Sequence, residues 1–226
     1  MLPLTISGLS VSYPGLAAPV LSIENLVVSA GEKLSITGAS GSGKSTFVNV
    51  ITGLERVRQG SVTWGEQSIG DLTETRRDRW RGENVGLVMQ DFHLLSGLSA
   101  LENVLLPVRL ARSMSKELGE RAAALLEKTG LSRPDQKIDT MSRGEMQRVA
   151  ISRALLRKPG VIVADEPTAS LDPENGEAIG GLLVDLAKAE GSTLIVITHD
   201  RLLAERLDRR LELANGRVVT DTAGKP

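Results

Sequence analysis

Short stretches in which apolar and polar residues alternate predict β-strands in the first 37 residues. Three stretches are rich in β-branched residues, namely Thr5 to Ser7, Leu9 to Tyr13 and Val20 to Val28. Gly8, Pro14 and Pro19 interrupt them, and these residue types favour turns or strand ends. We therefore expect a β-rich N-terminal region in which the chain turns at these points.

Two longer apolar runs predict strands of another kind. Val161 to Ala164 is wholly apolar and Thr193 to Ile197 nearly so, which is typical of strands buried on both faces of a parallel sheet. Shorter runs predict further strands at Lys33 to Thr37, Ser61 to Trp64 and Val85 to Met89.

Helices are predicted between these strands, from apolar spacing and from capping residues. These signals place helix starts near Lys44, Asp71, Ser99, Ser115, Ser142 and Asp172. The first helix carries Phe47, Ile51 and Leu54 on one face, and the third bends or breaks at Pro107. Strands that alternate with helices in this way predict an α/β fold with a mainly parallel sheet.

The chain is predicted to close with a hairpin. Residues 209–213 and 217–220 flank Asn215-Gly216, which is a favoured two-residue turn. Residues 221–226 are expected to form a polar tail.

The stretch Gly-Ala-Ser-Gly-Ser-Gly-Lys-Ser-Thr at 38–46 fits the phosphate-loop pattern G-x-x-x-x-G-K-[ST]. It follows a predicted strand and opens a predicted helix, as the motif requires. Lys44 is expected to reach the β- and γ-phosphates and Ser45 to ligate Mg²⁺. A plain Gly/Ser turn is the alternative, but it leaves the register of these residues unexplained. The residues expected to contact the nucleotide here are Gly38, Ser40, Gly41, Ser42, Gly43, Lys44, Ser45 and Thr46.

Three more candidate residues follow the two buried runs. Asp165 and Glu166 come at the carboxyl end of the first run, where open α/β sheets place their ligands. Asp165 is expected to hold Mg²⁺ through the metal's water shell, and Glu166 to polarise a water for attack on the γ-phosphate. His199 follows the second run and is placed to donate a hydrogen bond to that phosphate. Helix capping by the acids and a surface position for the histidine are the alternatives.

Two further features leave their role open. Ser142 and Glu145 form an S-x-x-E capping box, which needs no function, although a helix start is also an anion site. Tyr13 is expected in the core from its strand context, yet its place ahead of the phosphate loop also suits stacking on a base.

Residues 91–99 lack clean periodicity and predict a loop. Its apolar side chains are expected to be exposed, and they either pack under a neighbour or dock a partner. These side chains belong to Phe92, Leu94, Leu95 and Leu98.

The composition of the chain limits the classes of partner and of site that it is expected to have. In 226 residues, 27 Lys and Arg against 28 Asp and Glu leave a formal net charge of −1, so no global charge attracts nucleic acid or an anionic membrane. The chain has no cysteine, which excludes disulfides and thiolate metal sites and is compatible with the cytosol. The N-terminus lacks the pattern of a signal peptide, and no apolar run approaches the ~18 residues of a membrane helix. Work at a membrane is therefore expected to go through a partner.

The order of these motifs resembles the ATP-binding subunit of ABC transporters, over about residues 1–220. The matching positions are Tyr13 for the adenine-stacking aromatic, Gly38 to Thr46 for Walker A, Gln90 for the Q-loop, Met141 to Glu145 for the signature, Asp165-Glu166 for Walker B with its catalytic base, Ala169 to Asp172 for the D-loop and His199 for the H-loop.

The resemblance implies a fold and its division. It implies a P-loop NTPase core with a mainly parallel sheet, an N-terminal antiparallel β-subdomain and a helical subdomain that carries the signature. One domain of residues 1–226 would divide into a core at about 1–90 and 155–220 and a Q-loop and helical part at 91–154.

The resemblance also implies cofactors and partners. The subunit, paired with a second copy or a related ATPase subunit, would sandwich two ATP, each joining one phosphate loop to the other subunit's Ser142 and Gly144. Gln90 would contact Mg²⁺ and the attacking water, and Asp172 would lie at the nucleotide. A transmembrane permease would dock near Gln90 to Ser99, with the subunit peripheral on the cytoplasmic face of the inner membrane.

A bacterial branch of that family is the nearest resemblance. The segments Glu83 to Gln90, Leu94-Leu95 and Ala100 to Val104 are similar to the branch that serves lipoprotein release, macrolide or toxin export and cell division. Members of this branch often drive mechanical work across the membrane. The transported or extruded substrate is not indicated by these segments.

The signature departs from the family at two positions. Met141 replaces leucine at nearly equal volume, but Arg143 replaces glycine. The guanidinium would tighten the sandwich if it reached a phosphate, whereas the Cβ would hold the two subunits apart. We expect the steric effect to dominate, so that Arg143→Gly raises basal hydrolysis and ATP-driven dimerisation.

Two other classes of protein share some of these features. Soluble ABC-type ATPases that act on DNA or the ribosome carry long insertions or fused units, for which this chain has no room, and a basic surface would be expected. If the chain were a P-loop kinase or GTPase, the signature helix and His199 would have no explanation.

Overall fold

A computed structural model describes residues 1–223. Its strands are β1 (Leu4–Val11), β2 (Leu21–Val28), β3 (Lys33–Thr37), β4 (Gln59–Trp64), β5 (Gln67–Ser68), β6 (Val85–Val88), β7 (Val161–Asp165), β8 (Thr193–Ile197), β9 (Arg209–Ala214) and β10 (Arg217–Asp221). Its helices are α1 (Lys44–Ile51), α2 (Glu74–Asn84), α3 (Ala100–Leu110), α4 (Lys116–Lys128), α5 (Arg143–Leu155), α6 (Pro173–Glu190) and α7 (Arg201–Glu205), with a 3₁₀ turn at Ile138–Thr140.

The strands form two sheets of different kinds. The first is antiparallel, in the order β2-β1-β4-β5. The second has the order β10-β9-β3-β8-β7-β6, and it is parallel except at the β9–β10 hairpin. The predicted α/β class, the mainly parallel sheet and the antiparallel N-terminal strands are confirmed.

The six-stranded sheet lies between two apolar cores. Val161 and Val163 of β7 face a core shared with α1 and the antiparallel sheet, whereas Ile162 and Ala164 face the helices α3 to α6. Alternate residues of β8 divide in the same way. Both central strands are therefore buried on both faces, as their uninterrupted apolar runs predict. None of the described helices has the length and apolar content needed to cross a membrane.

Capping residues set the helix ends as the sequence predicts. Ser99 and Ser142 each accept a hydrogen bond from the N3 backbone while the N3 glutamate accepts one from the cap, so both begin a capping box. Pro107 lies inside α3, and Asp172 caps α6 with proline in its first turn. The expected charged helix from Asp71 begins three residues later, at Glu74.

Four local predictions are wrong. Gly8 does not break the first strand, because the irregularity is a register shift between Ser7 and Ser10 within β1. Leu54 lies beyond the end of α1 and is 46% exposed. Tyr13 lies past the end of β1 and is 38% exposed rather than in the core. Phe92 is buried, although Leu95 in the same loop is exposed as expected.

The hairpin predicted near the end of the chain is confirmed, but its second strand runs one residue further than expected. The hairpin turns at Asn215 and Gly216, both of which have positive φ. Asp221, the first residue of the expected tail, belongs to β10, and residues 224–226 of that tail lie outside the described residues.

Candidate active site

The loop between β3 and α1 is held against the C-terminal hairpin. A Cβ at Gly38 would lie 2.3 Å from the Leu213 carbonyl oxygen, and one at Gly43 would lie 2.8 Å from that of Val20. Both glycines also have positive φ, so no other residue fits either position without strain. The Gly216 backbone N–H donates to the Ser42 carbonyl oxygen at 3.0 Å, which ties the hairpin turn to the loop.

The loop has the donors and the charge that a phosphate requires. Gly43 caps α1 without a side-chain hydrogen bond, and the first turn of α1 contains no acidic residue. The Lys44 ammonium lies over the loop, where it donates to the carbonyl oxygens of Gly38 at 2.6 Å and Ala39 at 3.0 Å. The Ser42 hydroxyl is buried without a hydrogen-bond partner among the described residues. An uncapped helix N-terminus, an ammonium and an unpaired hydroxyl together suit an anion such as a nucleotide phosphate.

Tyr13 lies beside this helix rather than within the core. Its hydroxyl donates to Glu55 Oε2 at 2.6 Å, and Glu55 follows α1. The hydrogen bond to Glu55 and partial burial raise the pKa of Tyr13. The ring is therefore held at the surface near the phosphate loop, where a base could stack on it.

The two predicted carboxylates end β7. Asp165 is the last residue of the strand, and Glu166 follows with φ 47°. The left-handed conformation is costly for a residue with a Cβ and often marks a functional site. Glu166 is held there by its backbone N–H, which donates to the Ile197 carbonyl oxygen of β8 at 2.9 Å.

Glu166 and His199 contact each other across the ends of adjacent strands. The His199 backbone N–H donates to Glu166 Oε2 at 3.2 Å, and His199 Nε2 lies 3.3 Å from Glu166 Oε1. The second contact is within ion-pair distance but lacks hydrogen-bond geometry, so Oε1 has no hydrogen-bond partner among the described residues. Buried polar atoms without a hydrogen-bond partner are uncommon in folded proteins, and a catalytic role is one explanation for them.

Burial makes both carboxyl groups more basic than usual. Burial raises the pKa of Asp165, and the positive charge of Lys44 opposes it in part. Burial also raises the pKa of Glu166, against the opposing effects of the His199 backbone N–H, the His199 ring and Lys44. Lys44 therefore acts on both carboxylates, which places the phosphate loop and the end of β7 in one electrostatic environment.

One cleft of about 560 Å³ joins several of the predicted residues. Gln90, Glu166, His199 and Asp172 all line it. Gln90 reaches it because β6 lies next to β7 in the sheet, and Asp172 because it caps α6. Residues that are separated by more than 100 positions in the sequence thus share one water-accessible space.

No described hydrogen bond joins the signature residues Met141 to Glu145 to the phosphate loop of the same chain. The described hydrogen bonds of the Ser142 side chain and backbone N–H stay within the α5 capping box, and none joins Ser142 to residues 38–46. A Cβ at Gly144 would lie 3.5 Å from Asn175 Oδ1, so the start of α5 is next to the start of α6. Arg143 donates through Nε to the Ser170 carbonyl oxygen at 3.1 Å. The expectation that its Cβ separates two subunits stays a prediction.

Sequence reasoning missed several supporting contacts. Asp200 caps α7 and accepts a hydrogen bond from Thr168 at 3.3 Å, which joins the turns after β7 and β8. An aspartate directly before a helix was a readable signal for the cap but not for the contact with Thr168. The contact of Gly216 with the phosphate loop had no sequence signal, because it joins segments more than 170 residues apart.

Comparison with known proteins gives the same picture as the geometry. Residues 21–169 match the family described as ABC transporter. The lipoprotein-releasing system ATP-binding protein LolD of Hydrogenovibrio crunogenus is 40% identical over 205 residues, which cover 90% of this chain and 89% of that protein. The uncharacterized ABC transporter ATP-binding protein YbbA of Escherichia coli K12 is 44% identical over 200 residues, 88% of each chain.

A solved structure is also similar. It is the dimeric post-hydrolysis state of the ATP-binding cassette MJ0796, bound to ADP and Pi. The TM-score is 0.85 at 36% sequence identity, and the match covers 96% of this chain and 97% of that one.

Proposed function

The chain belongs to the ABC transporter family and is an ATP-binding subunit and ATPase of that family, and we propose how its residues bind and hydrolyse ATP. The observation that carries the proposal is the shared cleft, in which Gln90, Glu166 and His199 meet at the ends of adjacent strands. Beside it, the phosphate loop offers an uncapped helix start and the Lys44 ammonium.

We propose that the nucleotide lies along α1. Its phosphates would contact Gly38, Ser40 to Gly43 and Thr46, with Lys44 on the β- and γ-phosphates. Tyr13 would stack on the adenine, which is supported by its exposed position beside α1.

A magnesium ion is the proposed metal cofactor. Its ligand groups would be the Ser45 hydroxyl, the Gln90 amide and the Asp165 carboxylate, all of which are the hard oxygen donors that Mg²⁺ prefers. When bound, the ion would neutralise charge on the phosphate oxygens. The Lys44 charge acts on Asp165, which supports a position for this carboxylate near the phosphates.

Glu166 is the proposed general base. Its Oε1 is buried without a hydrogen-bond partner among the described residues and its pKa is raised, so it would accept the proton of an attacking water more readily than an ordinary carboxylate. His199 would hold Glu166 through its backbone N–H and donate from its ring to the γ-phosphate. Gln90, which lines the same cleft, would orient the water.

A second subunit is proposed to complete each site. Ser142 and Gly144 lie at an exposed helix start that does not contact the phosphate loop of its own chain, so they would meet the nucleotide of the paired subunit. Asp172, which shares the cleft, would lie at the same junction. The dimeric state of the similar cassette supports this arrangement.

The proposed membrane partner is a permease that docks near Gln90 to Ser99. A groove of about 500 Å³ adjoins this segment and is lined by Met89, His93 and the exposed Leu110. The names of the relatives as transporter ATP-binding proteins support such a partner. The subunit would then be peripheral on the cytoplasmic face of the inner membrane.

We also propose that residues 91–154 form the helical part, set apart from a core at about 1–90 and 155–220. The names of the relatives give no support to the alternative function, an ATPase that acts on nucleic acid or the ribosome.

Lys44→Ala tests the nucleotide assignment. Without the ammonium, ATP hydrolysis should fall to background and ATP binding should weaken by at least about tenfold, since one charge-assisted phosphate contact is lost. Lys128→Ala, which removes an exposed lysine at the end of α4, is the matched control and should leave both unchanged. Near-normal turnover in Lys44→Ala would show that the phosphate loop is assigned wrongly.

A pull-down from detergent-solubilised membranes of the source organism tests the partner. The wild-type chain should retain a multispanning membrane protein. Leu95→Asp, which puts a charge at an exposed position of the docking segment, should lose it. Val219→Asp alters an equally exposed apolar residue on β10 and should not. Retention of a ribosomal or DNA-binding complex instead would contradict the proposal.

A further inference from the structure

Arg143 contacts two segments of its own chain. Its guanidinium lies over the ring of Phe92 with 5.3 Å from Cζ to the ring centroid, which is within the range of a cation–π contact. Its Nε donates to the Ser170 carbonyl oxygen at 3.1 Å. The side chain that replaces the family's glycine therefore has partners inside the subunit.

Both segments are turns that lead from the candidate site. Phe92 belongs to the turn that follows β6 and Gln90, and Ser170 to the turn that runs from Glu166 to Asp172. Both Gln90 and Glu166 line the cleft. The guanidinium thus joins the two strand-end turns that present the proposed water-orienting amide and the proposed base.

The turn after Gln90 needs such support. Phe92 and His93 are consecutive residues with φ 36° and 47°, a conformation that residues with a Cβ rarely adopt. Arg153 holds this turn from one side, donating to the carbonyl oxygens of Phe92 and His93 at 2.6 Å each. Arg143 covers the Phe92 ring from another side, so two arginines of α5 fix the same strained turn.

We propose that Arg143 is a positioning residue, which holds the turn after Gln90 against the turn after Glu166 and so sets the geometry of the hydrolytic cleft. This proposal rests on the proposed function of Gln90, Glu166 and Asp172. It gives the guanidinium a task within its own subunit instead of a contact with the other subunit's phosphate. Arg143→Gly also removes the guanidinium, so this proposal predicts a lower kcat for that variant, in place of the rise expected from the sequence alone. It also joins the docking segment to the cleft through the Phe92 ring.

The first test compares steady-state ATP hydrolysis by the full-length subunit and its variants. Arg143→Ala keeps the Cβ and removes the guanidinium, and kcat should fall about three- to tenfold with KM for ATP unchanged. Arg143→Lys should not restore kcat, because an ammonium cannot stack on the ring and donate to Ser170 with the same planar group. Arg79→Ala removes an exposed arginine of α2 and is the matched control, with wild-type kinetics expected.

Phe92→Leu supplies the second arm. It removes the ring face at similar apolar size and should lower kcat to the level of Arg143→Ala. The double variant should then be no worse than either single variant, since both remove one contact. Hydrogen exchange of the purified proteins should show faster exchange at residues 91–94 and 168–171 in Arg143→Ala, whatever the ATPase rate.

Several outcomes would overturn the proposal. A raised KM in Arg143→Ala that Arg143→Lys repairs would make Arg143 a phosphate ligand. Effects of Arg143→Ala and Phe92→Leu that multiply, or unchanged exchange in both turns, would show that the two residues act separately. Because Arg143 is exposed, the Ala and Lys comparison stands even if Phe92→Leu does not fold. If the wild-type chain itself does not hydrolyse ATP, the proposed function fails instead.

Discussion

Among single residues, those that line the cleft have energetically unfavourable features that good packing alone would not produce. Glu166 has a left-handed backbone, its Oε1 is buried without a hydrogen-bond partner, and burial raises its pKa. Asp165 beside it is partly buried, and this burial raises its pKa. Such features persist where the surrounding structure over-determines them, and they cluster at sites of chemistry. The two residues that the sequence predicts to be catalytic or metal-binding thus also have an unfavourable conformation or an unfavourable burial.

Asp165→Asn should make the nucleotide-free protein more stable at neutral pH. A carboxyl group whose pKa is raised on folding binds its proton more tightly in the folded state. Its contribution to stability is therefore present below the unfolded pKa and is lost as the pH rises through the raised value. The amide avoids this loss, so the gain in Tm should be positive at pH 7 and near zero at pH 4. Each 1 kcal/mol gained corresponds to about 2–4 °C for a chain of this length.

Thermal unfolding at both pH values measures this effect. Asp135→Asn changes an exposed loop carboxylate and serves as the control, with no pH-dependent gain expected. A lower Tm for Asp165→Asn at pH 7 would mean that the attraction to Lys44 outweighs the cost of burial.

For helices and strands, the sequence predicts features that depend on neighbouring residues and misses contacts between residues that are far apart in the chain. The helix start at Ser99, the capping box at Ser142 and the Asn215-Gly216 turn are confirmed because their hydrogen bonds join residues at most a few positions apart. The core position expected for Tyr13 is wrong because β1 ends before it. The exposure expected for Phe92 is wrong because its cover comes from α5, about 50 residues later. The cleft itself depends on β6, β7 and β8 being neighbours, which local patterns do not specify.

The two capping boxes separate a structural role from a functional one. Ser99 and Ser142 have the same cap geometry, with serine accepting from the N3 backbone at 3.2 and 3.3 Å. Ser99→Ala and Ser142→Ala should each lower the free energy of unfolding by about 1 kcal/mol. ATP hydrolysis should fall at least about tenfold only in Ser142→Ala, because only this cap is proposed to meet the other subunit's nucleotide. Equal losses of activity in the two variants would reduce Ser142 to a cap. Urea denaturation and steady-state ATPase assays give both quantities.

For the whole molecule, the proposed function gives one chain the parts of two half-sites. The phosphate loop, Asp165, Glu166 and His199 lie around one end of the parallel sheet, while Ser142 begins a helix whose described hydrogen bonds do not reach that loop. The family and the dimeric structure that the chain resembles fit this separation. We therefore propose that bound ATP joins two subunits and that hydrolysis, with Glu166 as the general base, lets them separate.

Gel filtration of the Glu166→Gln variant tests whether ATP joins two subunits. The amide keeps the shape of the carboxylate but is a far poorer proton acceptor, so ATP binding should persist while turnover falls at least about a hundredfold. With ATP and Mg²⁺, gel filtration should show a dimer, which Lys44→Ala in the same background should abolish. A monomeric Glu166→Gln variant at ATP concentrations that saturate binding would contradict this mechanism, and so would hydrolysis at the wild-type rate.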